Sequence, residues 1–117
     1  MQPTLGKLVD KHFSHVSTRL NYYRFLYYLV AKMKPVVCVE LGVEFGLASA
    51  HMVAAAFQYG GRVIGVDKDN KLVAENEIQK AWSRTYTFIL GDSVSAAELV
   101  EAFVERHGKI GVLFQDS

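Results

Sequence analysis

The sequence predicts an α/β fold with a doubly wound parallel sheet, and three observations predict it. Short runs rich in β-branched and aromatic residues, at 36–39, 62–66, 85–90 and 109–114, alternate with segments of helical periodicity. Gly42 and Gly46 follow the first run and open a helix, the arrangement found where such sheets bind ligands. Four carboxylates, Glu40, Asp67, Asp92 and Asp116, stand just past the ends of the four runs. Parallel strands joined through right-handed helical crossovers would gather all four at one edge of a Rossmann-like sheet.

The elements follow in order. Residues 1–18 are weakly patterned, and His12 and His15 at helical spacing either hold a metal or form a solvated pair. Residues 19–34 form a helix that Pro35 ends, and together with the preceding segment they make an N-terminal unit, 1–34. Tyr22, Tyr23, Phe25, Tyr27 and Tyr28 go most of the way round this helix, so one face packs on the sheet and another is core or meets a partner. Residues 35–117 form the ligand-binding unit. Its first strand, Val36 to Val39, is continuously apolar, as in a strand covered on both faces, and Glu40 ends the run. Leu47 to Tyr59 is a small-residue helix stopped by Gly60 and Gly61, and its His51 reads as a structural residue. The second strand, 62–66, ends in Asp67, which either accepts ribose hydroxyls or caps the next helix. That helix spans 70–82, with Leu72, Val73, Ile78 and Trp82 inward. The third strand, 85–90, leads to Gly91, Asp92 and Ser93. The capping box from Ser95 to Glu98 starts a helix to about His107 and leaves Asp92 for a ligand. The fourth strand is 109–114.

Composition removes several function classes. The 117 residues carry a net charge of +1, which gives no electrostatic basis for binding nucleic acid or an anionic membrane. Half the residues are hydrophobic, enough for a real core. The single cysteine, Cys38, lies inside a strand, which excludes an internal disulfide framework and points to a reducing, cytoplasmic setting. No signal peptide or membrane-spanning run is expected.

The corner itself selects its ligand by charge. A dinucleotide fingerprint places glycine where this chain has Glu44, and a carboxylate there repels a pyrophosphate. With Glu40 nearby, the site favours a ligand that brings positive charge, and nicotinamide-dependent oxidoreduction is disfavoured. S-adenosylmethionine carries an ammonium and a sulfonium. The run E-L-G-V-E-F-G-L-A-S, 40–49, resembles the first motif of class I S-adenosylmethionine-dependent methyltransferases, in particular the small-molecule O-methyltransferase branch with E-x-G-x-x-x-G-x-S.

The resemblance covers 35–117 and implies a strand order 3-2-1-4, truncated relative to the family order 3-2-1-4-5-7-6. It implies Glu40, Gly42, Glu44 and Gly46 near the methionine moiety, Ser49 near its carboxylate, Asp67 on ribose, and Asp92 with Ser93 at adenine. Asp116 matches an aspartate that helps bind a divalent cation in the metal-dependent members. The other ligands fall outside this chain, so no metal is expected in a lone subunit and Asp116 is the candidate catalytic base. Two functions follow: a cofactor-binding methyltransferase-like protein acting on a small molecule, or a non-catalytic dimeric interaction module with a vestigial site. A homodimer is expected through the apolar edge of strand 109–114 or through helix 19–34.

Overall fold

The computed structural model describes residues 20–44, 46–69, 83–92 and 94–115. Seven elements are found in order: α1 (Leu20–Met33), β1 (Val37–Leu41), α2 (Leu47–Phe57), β2 (Arg62–Asp67), β3 (Tyr86–Leu90), α3 (Ala97–His107) and β4 (Ile110–Gln115). The four strands form one parallel sheet in the order β3-β2-β1-β4, as the sequence led us to expect. The expected helix at 70–82, the pair His12 and His15, and Ser93 and Asp116 lie outside the described residues.

The two faces of the sheet separate cleanly because strand side chains alternate. Cys38, Val63, Tyr86 and Val112 point into a core shared with Tyr23, Leu26 and Val30 of α1 and with Leu47, Ala50, Met52 and Val53 of α2. Val37, Val39, Ile64 and Val66 point the other way, toward Ala96, Val100 and Phe103 at and within α3. Nine of the eleven α2 residues are buried, which explains why its sequence is apolar on every side and rich in alanine. In α3 none is fully buried, in keeping with its alternation of charged and apolar residues.

Helix α1 stops where Lys34 takes a left-handed φ of 50° and donates its N–H to Val30 O at 2.8 Å. Pro35, which cannot continue a helix, follows. The helix lies chiefly against α2 rather than directly on the sheet. Of its aromatic residues, Tyr23 is core, Tyr27 is half-buried, and Phe25 and Tyr28 are exposed.

Strand boundaries differ from expectation at one consequential place. Glu40 does not end the first strand. It is the fourth of five β1 residues, paired with Gly65 on β2 and Phe114 on β4, and is 1% exposed. The backbone ladder continues past a charged side chain because the pairing uses only main-chain groups. Parity then puts Glu40, like Cys38, on the α2 face.

Candidate functional site

The turn between β1 and α2 is built from alternating left-handed residues, Gly42 (φ 87°), Glu44 (φ 52°) and Gly46 (φ 91°). Glycine takes this conformation freely, whereas Glu44 pays about 1 kcal/mol for it. The turn is tied down at both ends. Gly42 N–H donates to Val66 O (2.9 Å), and Gly46 N–H donates to Val43 O (3.1 Å). Between them Glu44 N–H donates to Asp67 Oδ2 at 2.8 Å, so the carboxylate at the end of β2 holds the strained residue in place.

Asp67 also accepts from Asp69 N–H through Oδ1 at 3.1 Å. Partial burial raises its pKa, but the N–H groups of Glu44, Asp69, Val43 and Lys68 outweigh that effect and hold it below the usual carboxylate range. Two carboxylate oxygens offer about four acceptor positions. Four N–H groups already point at them, so Asp67 pins the turn, a role that the choice between ribose acceptor and helix cap did not include.

Helix α2 begins directly after Gly46 with no side-chain cap. Its first N–H groups therefore face the turn with the positive end of the helix dipole behind them. Ser49 lies inward of this end. It is 0% exposed and its hydroxyl donates to Glu40 Oε1, while its Oγ is 3.2 Å from Tyr86 Oη. The motif E-x-G-x-x-x-G-x-S, counted from Glu40, reaches its serine at position 48, where this chain has Ala48. Ser49 is one residue further on.

Asp92 is exposed, two residues beyond β3, and Ser95 governs its chemistry. Ser95 N–H donates to Asp92 Oδ1 (2.6 Å), Ser95 Oγ donates to Asp92 O (3.2 Å), and Ala96 N–H donates to the same carbonyl (2.9 Å). The bond from the Ser95 backbone leads the causes that lower the Asp92 pKa. The expected capping box is absent. Helix α3 starts at Ala97 behind Ala96, which offers no side chain, and Ser95 belongs to the turn that Asp92 organises. Asp92 is therefore not freed by Ser95, and the Val94 N–H adds to the groups that hold it.

His51 is structural, as its sequence context indicated. It is 1% exposed, its Nδ1 is 2.8 Å from Leu47 O, and its ring is tilted against Tyr23 at 6.1 Å. A carbonyl only accepts, so Nδ1 carries the proton. Burial lowers the His51 pKa, against the upward pull of that bond, and Arg24 lowers it further. Cys38 is buried in β1 with its thiol pushed up to about 12 by desolvation, which makes it inert.

The sequence reading missed two residues of the site, Gly65 and Tyr86. An isolated glycine in a strand signals close approach by another group, so Gly65 was legible. Nothing in the pattern of β3 marks Tyr86. A cavity of about 490 Å³ lies elsewhere, between α3 and the start of β2, and is lined by Arg62, Arg106 and His107 with Leu99 and Phe103. It is remote from the turn at the opposite strand ends.

With this geometry in hand, comparisons with known proteins are informative. Residues 13–117 match the family described as rhamnosyl O-methyltransferase/CmcI. The chain belongs to that family. No curated protein matches it. Among solved structures, it is similar to an O-methyltransferase from Bacillus cereus in complex with SAH: identity 18%, TM-score 0.67, covering 84% of this chain and 44% of that one. The cofactor-bound protein Rv0187 from MTB gives 19% identity and a TM-score of 0.69 over 84% of this chain and 44% of that one. A methyltransferase from Geobacter sulfurreducens gives 24% and 0.55 over 65% and 41%. At these identities the likeness is one of fold. The family member described here spans less than half the length of these three proteins. No helix among its described residues is long and apolar enough to cross a membrane.

Proposed function

We propose that this chain binds S-adenosylmethionine at the Gly42–Gly46 turn and forms the cofactor half of a small-molecule O-methyltransferase. The observation that carries the proposal is the turn itself: a glycine-flanked loop pinned by the Asp67 carboxylate against an uncapped helix start. The donor set fits the cofactor. Asp67, at the end of β2, accepts from ribose hydroxyls in competition with the N–H groups that surround it. The first N–H groups of α2, beyond Gly46, receive the methionine carboxylate. The negative character of Glu40 and Glu44 suits an ammonium and disfavours a pyrophosphate. Asp92 stands beside the adenine end, and Ser93 follows it in sequence.

Bound S-adenosylmethionine would supply a methyl group on a sulfonium that an oxygen nucleophile displaces directly. The contribution of this chain is to hold the donor in line and exclude water from it. Asp116, next after the last β4 residue, is the proposed base for the acceptor hydroxyl or a cation ligand. Calorimetric titration with S-adenosylmethionine, S-adenosylhomocysteine and NAD tests the reading. Heat with the first two and none with NAD is the expected result, and no heat with any at millimolar ligand refutes it.

A specific observation favours a second reading, a dimeric interaction module. Ile110 and Leu113 on the edge strand β4 are 41% and 60% exposed, and pairing of this edge with a second copy would cover them. Retention of dimerisation without cofactor binding would select that reading. Phe25 and Tyr28 on the outer face of α1 are the competing surface. A cytoplasmic location is part of the proposal and rests on the single unpaired Cys38.

A further inference from the structure

We infer that Tyr86, Gly65 and Ser49 are positioning residues that fix the Glu40 carboxylate beneath the glycine turn, where it acts on the amino-acid end of the ligand. The inference rests on the cofactor reading above. The four residues come from four separate elements, β3, β2, α2 and β1, and meet in the core. Glu40, Ser49 and Tyr86 are each no more than 1% exposed. The Ser49 hydroxyl donates to Glu40 Oε1, and its Oγ lies 3.2 Å from Tyr86 Oη. The Ser49 hydroxyl thus joins the Glu40 carboxylate to the Tyr86 phenol.

Gly65 makes this junction possible. It is the β2 partner of Glu40, and a Cβ there would overlap Tyr86 Oη and come within 2.7 Å of Val43 Cγ2. The phenol therefore crosses over a residue with no side chain to reach the serine. Val43 is also part of the turn, so the same bare position lets turn and phenol share one site. A buried carboxylate is costly unless its acceptors are met, and the Ser49 hydroxyl, held between it and the rigid Tyr86 ring, fixes Oε1. Glu40 stands two residues before Gly42, and its β2 partner Gly65 is the position that Val43 of the turn closes over.

The test compares two ligands that share an adenosine and a thioether. S-adenosylhomocysteine has the amino-acid end, and 5′-methylthioadenosine lacks it. Calorimetry on Ser49→Ala should show S-adenosylhomocysteine weakened by roughly 10-fold, with 5′-methylthioadenosine changed by less than about 2-fold. Tyr86→Phe should shift the same ratio in the same direction by a smaller factor, and it retains the ring should Ser49→Ala fail to fold. Parallel loss of both ligands, or no change in either, overturns the inference by showing that the network only supports the core. A wild-type chain that binds neither ligand defeats the cofactor reading, and this inference falls with it.

Discussion

His51 and Asp67 both destabilise the fold in acid, in different pH windows, because each has a folded pKa below its unfolded value. The folded His51 pKa lies below its unfolded value, so between the two values the unfolded chain binds more protons and stability falls as pH drops. Unfolding midpoints should be flat at pH 7–8 and decline below the ordinary histidine pKa of about 6.5. His51→Gln should remove a good part of that slope, and an unchanged slope in melting curves from pH 8 to 5 would contradict the assignment. His107 also titrates low, through desolvation and then Arg62 and Arg106, so some slope will remain. Asp67, with a lowered pKa, contributes stability above its unfolded value of about 3.9 and loses it as pH falls through the folded value. Asp67→Ala strips the acceptor from Glu44 and Asp69. It should cost roughly 1 kcal/mol, discounted for partial exposure, and weaken S-adenosylhomocysteine by about 10-fold or more in calorimetry. Asp67→Asn, which keeps an acceptor oxygen, should recover more stability than affinity.

At the scale of elements, α1 shows how one helix divides its work. Leu26 is 4% exposed and packs among α2 residues, whereas Phe25, the residue before it, is 63% exposed. Leu26→Ala should destabilise by about 2–5 kcal/mol in a denaturant titration, and Phe25→Ala should stay within about 0.5 kcal/mol. Equal losses would mean that the outer face of α1 is covered in solution. Tyr27 is intermediate: its hydroxyl accepts from Gln58 Nε2 at 2.7 Å, stapling α1 to the end of α2, and its ring meets Tyr28 edge-on at 5.4 Å. An aromatic face that looked like core or interface by composition is thus partly a side-chain bond between helices.

At the scale of the whole molecule, the proposed dimer turns on the edge strand β4. Its pairing with β1 skips Gly111, so the edge carries an irregularity that the residue pattern did not reveal. Val112 is 9% exposed and faces α1 and α2, whereas Leu113 faces outward. A charge at Val112 would strike the core and unfold the chain rather than test the interface. Leu113→Asp is the informative variant. If β4 pairs with a second copy, light scattering at micromolar concentration should show a dimer that becomes a monomer in Leu113→Asp with little change in melting temperature. A wild-type monomer mass excludes the β4 dimer, and a persistent mutant dimer moves the interface to Phe25 and Tyr28.

What the sequence determined by itself, among the described residues, is the elements and their approximate limits. Runs of Val, Ile, Tyr and Phe, helical periodicity, and the punctuation of Pro35, Gly42 and Gly46 act over a few residues, where local sterics and burial period decide the outcome. The positions of Asp67 and Asp92 near strand ends were legible for the same reason, since each follows a run whose end is locally marked. Tertiary structure alone decided what the polar groups do. Glu40 looked like a strand terminator and is a buried, paired carboxylate. Ser49 looked like a ligand contact at the helix start and turns inward to it. Ser95 looked like a cap and is held by Asp92 instead. The outcomes at Glu40 and Ser49 depend on partners 9 to 37 residues away, brought within hydrogen-bond reach only once the sheet has formed, whereas Ser95 answers to Asp92 three residues earlier within one turn. A hydrogen bond forms only over about 3 Å and in the right direction, so residue spacing can propose such partners but only the packed sheet selects among them.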